Sequence, residues 1–365
     1  MDLNEKIKKL PSYPGVYLMK DSSNSVIYVG KSKNLKNRLG SYFHNSKSHS
    51  PKVQKLVKNL KDFDYTLTDT EFEAFMLECK LIKEIKPRYN RQMKSPNSYT
   101  YIKLNVNEKH PDIELSNECS KEDRNIYFGP YTNRNTVERG IEGIKECCKI
   151  LCNNSSRKAS SCLYYSLGTC IGMCLQDTPS KEYLDIYNKI ISLLNGSDKS
   201  ILEVMEYNMN NASEKFDFER AIKYRDYLSA VSYLISKGKV IEYTKENKNI
   251  VLLEHLSDNT FKFFLIKGNK VLFTEKYILT ASDVINLKTI LLNKILIYFN
   301  DKTLNASIEI KKEDIDESQI IYSYLKNKAT SCKHFIVNEK WLNKPDNLNL
   351  NKALDELLIT QVPCT

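Results

Sequence analysis

The chain has 365 residues, 41% of them hydrophobic and 27% charged, which is enough for two or three domains with buried cores. No stretch reaches the roughly 18 apolar residues of a membrane helix; the nearest, Thr289–Phe299, is interrupted by Asn293 and Lys294. Met1–Lys6 lacks the apolar core of a secretion signal, so secreted and membrane classes are set aside and a cytoplasmic protein is expected. Ten cysteines in that setting point to free thiols or metal ligands rather than a disulfide framework.

The charge is unevenly placed. The chain carries 55 Lys and Arg against 45 Asp and Glu, and residues 1–104 hold 20 and 10 of these, so the whole excess of +10 lies there. A basic first domain suggests a phosphate-backbone partner. The bland alternative is a lysine-rich solvated surface.

In chain order, residues 1–104 mix short strands (Gly15–Met19, Val26–Val29, Asp64–Thr68) with helical stretches at Asn34–Phe43 and Glu71–Ile85, the second ended by Pro87. Residues 105–180 read as loop-rich, with six cysteines between 147 and 174. Residues 181–240 read as helical, with a break near Ser213–Asp217. Residues 248–365 read as a separate α/β domain. Its β-branched and aromatic runs Ile250–Leu256, Phe261–Ile266 and Val271–Ile278 are joined by turn signals. Helix and strand then alternate: Ala281–Phe299, Ala306–Ile310, Asp314–Lys326, His334–Asn338 and Leu348–Leu358. The expectation is an α+β multidomain chain.

One carboxylate stands out. Stepping about 100° per residue from Phe72 places Glu78 at about 240°, inside an apolar arc of Phe75, Cys79, Leu81, Ile82 and Ile85. A carboxylate there is costly unless a cation or a buried arginine compensates it. Leu35, Leu39 and Phe43 form the core stripe of the preceding helix, and Arg38 and Tyr42 share its adjacent face. Tyr17 and Tyr28 sit on paired strands, with Gly30-Lys31 at the strand exit. A carboxylate, an arginine, a lysine and tyrosines in one place form a phosphodiester-hydrolysing set.

Pro14-Gly15-Val16-Tyr17, Tyr28-Val29-Gly30-Lys31, Arg38, Tyr42, Glu73-Ala74-Phe75-Met76-Leu77-Glu78 and Lys86-Pro87-Arg88-Tyr89-Asn90 together resemble the GIY-YIG nuclease domain of the UvrC family of excinucleases. The resemblance implies that Glu78 binds a single divalent cation, Mg²⁺ or Mn²⁺. It implies that Arg38 stabilises phosphate and that Asn90 braces the site. Tyr17, Tyr28 and Tyr42 would surround the nucleophilic water, one of them as general base with Lys31 lowering its pKa.

Cys152, Cys162, Cys170 and Cys174 are separated by nine, seven and three residues, close enough for a tetrahedral zinc site or an iron–sulfur cube. Buried free thiols are the alternative. The run Cys162–Cys174 and the segment Tyr127–Asn133 again resemble the UvrC family, which implies a [4Fe–4S] cluster on those four cysteines. The first gap is slightly short, so Cys147 or Cys148 can stand in for Cys152. Ala212–Ala221 with Arg225-Asp226 resembles the UVR motif, here spanning about 203–238. This implies a helical hairpin docking on a UvrB-type partner through Phe218, Ala221, Ile222 and Leu228. The last domain resembles the stretch before the family's second nuclease. Its strand order is RNase H-like, but with only Glu254 and Glu309 near strand ends no second active site is expected.

The resemblance implies a repair endonuclease that incises damaged double-stranded DNA on the 3′ side of a lesion marked by the UvrB-type partner. A stand-alone structure-selective nuclease and a non-catalytic adaptor are the alternatives. The expected domains are 1–104 nuclease, 105–180 cysteine-rich, 181–240 helical and 248–365 α/β.

Overall fold

The computed structural model describes residues 3–43, 49–90, 93, 99–105, 112–120, 122–151, 163–172, 181–257, 259–278, 284–300, 314–327, 332–343 and 347–359. These form two compact units, one of Met1–Pro96 with Tyr243–Thr365 and the other of Asn97–Glu242.

The first unit begins with α1 (Leu3–Lys8), β1 (Gly15–Lys20), β2 (Val26–Ser32), α2 (Leu35–Phe43), α3 (Pro51–Asn59), β3 (Asp62–Leu67) and α4 (Glu71–Ile85). The β1–β2 turn is set by Asp21, whose carboxylate accepts from the amides of Ser23 and Ser25 at 2.9 and 3.1 Å. Both pairings of β1 are antiparallel, giving the order β2-β1-β3. One face packs Tyr17 and Met19 on Leu35, Leu39 and Tyr42. The other packs Val16 and Val29 on Ala74 and Ile82 of α4. Thr70 and Glu73 form a capping box that starts α4, and Lys86 in the left-handed conformation ends it before Pro87.

The second unit follows with β4 (Thr100–Leu104), β5 (Ile113–Ser116), β6 (Ile126–Tyr131), α5 (Arg134–Cys147), α6 (Leu163–Ser166), α7 (Lys181–Leu194), α8 (Ser200–Glu214) and α9 (Phe218–Lys245), whose last turn enters the first unit. The sheet order is β5-β4-β6. One core runs from Ile102, Leu104 and Tyr131 through Ile141 and Ile144 to Ile190, Leu193, Val231 and Leu234. Residues 100–104 therefore pair with this unit rather than closing the nuclease domain, and the stretch read as loop-rich holds strands β5 and β6 and helices α5 and α6 among its described residues. The expected break at 213–217 separates α8 from α9.

The chain then returns to the first unit through β7 (Asn249–Ser257), β8 (Thr260–Lys267), β9 (Lys270–Ile278), α10 (Val284–Asn300), α11 (Ile315–Lys326), β10 (Cys332–Val337) and α12 (Leu348–Ile359). The order is β10-β7-β8-β9. Every pairing in it is antiparallel, so the meander read as RNase H-like is present but its return strand β10 runs against β7. The expected strand Ala306–Ile310, with Glu309, lies outside the described residues. Both faces of β8 are apolar because both are covered. Phe261, Phe263 and Leu265 pack with α10 and α12, while Phe264 and Ile266 pack with α11 and with Phe72 and Cys79 of α4. No described helix is long and apolar enough to cross a membrane.

Candidate active site

Strand register brings the tyrosines together. Tyr17 lies opposite Gly30, and Tyr28, two residues before Gly30, shares its face. Gly30 leaves the space into which the Tyr17 ring leans: a Cβ built there would stand 2.4 Å from the Tyr17 hydroxyl oxygen. Tyr42, from α2, completes the group. The hydroxyls of Tyr17 and Tyr42 are 2.8 Å apart, and the Tyr17 ring lies 6.1 Å from each of the other two. Tyr17 is fully buried, whereas Tyr28 is only half-buried.

Burial raises the Tyr17 hydroxyl well above its ordinary value, helped by the neighbouring phenols and opposed by Arg38. Burial raises Tyr28 as well. Arg38, one turn before Tyr42, carries its guanidinium 5.2 Å from the Tyr42 ring centre. Burial works against its charge, but the surrounding tyrosines win and raise its pKa.

Glu78 approaches from α4. Its Oε1 accepts from the Lys31 amide at 3.0 Å, where β2 ends. Burial raises its carboxyl, against the pull of that amide and of the Lys31 and Arg38 charges. A carboxylate held in that tension fits a cation ligand, since a bound cation would compensate its desolvation.

Asn90 is buried behind the strand. Its Oδ1 accepts from the Val29 amide at 2.9 Å and its Nδ2 donates to the Val29 carbonyl at 2.8 Å. Because β2 is an edge strand, Asn90 satisfies the two backbone groups that no neighbouring strand reaches.

Lys31 departs from the expected geometry. Its ammonium is held by Glu71 at 2.6 Å and lies 3.4 Å from the centre of the Phe75 ring. The cation that faces the phenols is Arg38, so the expectation that Lys31 tunes a tyrosine is replaced by a Lys31–Glu71 pair beside Glu78. The sequence carried the signal: Glu71, Phe75 and Glu78 recur at i, i+4 and i+7, one face of a helix.

Of the cysteine set, Cys152, Cys162 and Cys174 lie outside the described residues. Cys170 is buried, is bridged to Ile150, and accepts from the Gly172 amide at 3.5 Å. Among the described residues, no three His, Cys, Asp or Glu side chains are grouped to hold a metal. In the helical hairpin, Phe216, Phe218 and Ile222 are exposed, while Leu228, expected at a docking face, packs on the unit's own core.

Residues 13–91 match the UvrC-like GIY-YIG domain, 99–193 the middle domain of the UvrC/Cho excinuclease, and 199–234 the UvrB/UvrC motif. The chain is 33% identical to the UvrABC system protein C of Acetivibrio thermocellus over 334 residues, covering 90% of this chain and 53% of that protein. It is 39% identical to that of Clostridium tetani over 284 residues, covering 76% and 46%. Against that of Clostridium perfringens it is 33% identical over 360 residues, covering 97% and 57%. The chain thus spans about half the length of the relatives it matches. Among solved structures, the magnesium-bound GIY-YIG N-terminal endonuclease domain of UvrC from Thermotoga maritima is 36% identical. It is matched over its whole length and over 25% of this chain, with a TM-score of 0.23.

Proposed function

The chain belongs to the UvrC family, and from that premise we propose that its first domain is a divalent-cation-dependent endonuclease that nicks one strand of damaged duplex DNA. The observation that carries the reading is the convergence of Tyr17, Tyr28, Tyr42 and Arg38 with the inward carboxylate of Glu78 at the end of β2.

In this reading Glu78 holds the cation, which when bound polarises the phosphodiester and offsets charge on the leaving oxygen. Arg38 supplies a fixed positive charge for the phosphate oxygens in the transition state. Tyr17 also holds the Tyr42 hydroxyl in place through its own. One phenol of the three takes the proton from water as its oxygen bonds to phosphorus and the bond to the 3′ oxygen breaks. A 3′-hydroxyl and a 5′-phosphate result. Asn90 keeps the strand carrying Tyr28 and Lys31 in register.

The exposed aromatic pair Phe216 and Phe218, with ring centres 6.2 Å apart at the head of α9, supports docking on a UvrB-type partner that selects the lesion. The same reading places the protein in the cytoplasm with the DNA. The decisive experiment is incision of a lesion-bearing duplex with Mg²⁺ or Mn²⁺, with and without the UvrB-type partner. Incision by the parent and none by Glu78→Ala, with DNA binding retained, is the expected result. Equal cutting by both proteins would end the assignment.

The cysteine reading belongs to the same proposal: Cys152, Cys162, Cys170 and Cys174 hold a [4Fe–4S] cluster, with zinc as the other metal that suits four thiolates. The Gly172 amide on the Cys170 sulfur is the kind of hydrogen bond that stabilises a cluster thiolate. Cys147 or Cys148 remains the alternative to Cys152 as the fourth ligand. Anaerobic protein should be brown and carry about four irons. Colourless protein with one zinc would replace the cluster, and metal-free protein would remove the site.

A further inference from the structure

Resting on the nuclease reading above, we propose that Lys262, in the C-terminal sheet, is a positioning residue for the nuclease centre, acting by fixing the first turn of α4.

Helix α4 is engaged on two faces. Glu71, Phe75 and Glu78 face the end of β2, where they hold the Lys31 ammonium and accept its amide. Phe72, Met76, Cys79 and Lys83, at i, i+4, i+7 and i+11, form the other face. Phe72 is buried with its ring centre 5.2 Å from Phe264 and 5.0 Å from Tyr324. Cys79 is fully buried in the same cluster, and Lys83 is paired with Glu317 of α11.

Lys262 closes the helix's leading end. On β8 it lies between Glu254 of β7 and Lys276 of β9, the three forming a polar row across the sheet. Its ammonium stands 2.7 Å from Asp69 and 2.9 Å from Glu73, with only 11% of the side chain exposed. Lys276 reaches Asp69 at 2.8 Å. Glu73 is also the reciprocal partner of the capping box, its Oε2 accepting from the amides of Asp69 and Thr70 at 3.0 and 3.2 Å. One lysine thus joins the residue before the N-cap to the third residue of the helix.

Loss of that charge severs the link between Asp69 and Glu73 and leaves Lys276, which reaches only Asp69, to offset two part-buried carboxylates where the helix begins. Glu71 follows Thr70 directly, so movement of this turn carries Lys31 with it and alters the cation setting of Glu78. Groups that orient a metal ligand from behind commonly matter by about 10- to 100-fold in metal affinity or rate.

The test uses the full chain and its Lys262→Met, Lys262→Arg, Asp69→Asn and Glu78→Ala variants. Bound Mn²⁺ is followed by electron paramagnetic resonance, alongside Mn²⁺-dependent nicking of supercoiled plasmid, DNA affinity and thermal melting. Lys262→Met should raise the half-saturating Mn²⁺ concentration about tenfold or more with DNA affinity unchanged, and Lys262→Arg should restore it. Should Lys262→Met fail to fold, Asp69→Asn carries the same test and should shift in the same direction. Parent-like Mn²⁺ affinity and nicking in the folded variant would overturn the proposal. If instead the parent binds no Mn²⁺ through Glu78, the nuclease reading is what fails. Faster amide exchange at Thr70–Ala74 in Lys262→Met then still supports the positioning role, and unchanged exchange refutes it.

Discussion

Removing Asn90 tests whether the edge of β2 must be held for the site to exist. In Asn90→Ala the Val29 amide and carbonyl lose partners at 2.9 and 2.8 Å in a buried setting. Each stranded group costs about 1–3 kcal/mol, so a total of about 3 kcal/mol is expected after partial hydration. For a folding unit of roughly 200 residues that lowers the melting temperature by about 6–12 °C. Asn90→Asp adds a sign. A buried carboxylate beside the Val29 carbonyl has a raised pKa, whereas the protonated acid can donate as the amide did. Relative to the parent, Asn90→Asp should therefore be least destabilised near pH 4, and should lose stability as pH climbs from about 4 through the raised value. Scanning calorimetry or circular dichroism at several pH values reads both effects. Melting within about 2 °C of the parent for Asn90→Ala, with no pH trend for Asn90→Asp, would refute the argument.

Gly30→Ala should cost both stability and activity, because the new methyl meets the hydroxyl and ring of the fully buried Tyr17; a destabilisation of about 1–3 kcal/mol by thermal melting and a rate loss of about 100-fold in single-turnover nicking are expected. Since burial holds Tyr17 and Tyr28 above their ordinary values, the chemical rate at saturating Mg²⁺ should climb from about pH 6 to about pH 9 as the phenolate fraction grows; a flat profile would remove a phenol as base. Phe218→Asp should leave melting unchanged because the ring is exposed, yet abolish capture of the UvrB-type partner in a pull-down and with it lesion-directed incision; retained capture would move the docking face elsewhere.

Much of the candidate site's assembly was legible because its signals are local. Period-two alternation with the Tyr17–Gly30 pairing gathers the tyrosines, and a carboxylate in an apolar arc marks Glu78. Lys31 was misassigned because a list of charges does not show which carboxylate takes an ammonium, although Glu71 shared the face of Glu78. Helix α3 was missed despite Pro51 at its start, since its lysines mask the single buried Leu56. Strand β4 was not read from the sequence, and its pairing with β5 and β6 is non-local. The covering of α4 by β8 and α11 was out of reach for the same reason, although a helix apolar on most sides already asks for two neighbours.

The split of the first unit has a consequence during synthesis. Its two pieces are separated by Asn97–Glu242, 146 residues that a ribosome needs roughly 7–30 s to make at about 5–20 residues per second. Throughout that interval Phe72 and Cys79 have no Phe264, Ile320 or Tyr324 to pack against, so the nascent chain carries an uncovered apolar helix face. That interval is when the polypeptide is most open to wrong association and to chaperone capture, and slowing translation within residues 97–242 should lengthen it and lower soluble yield.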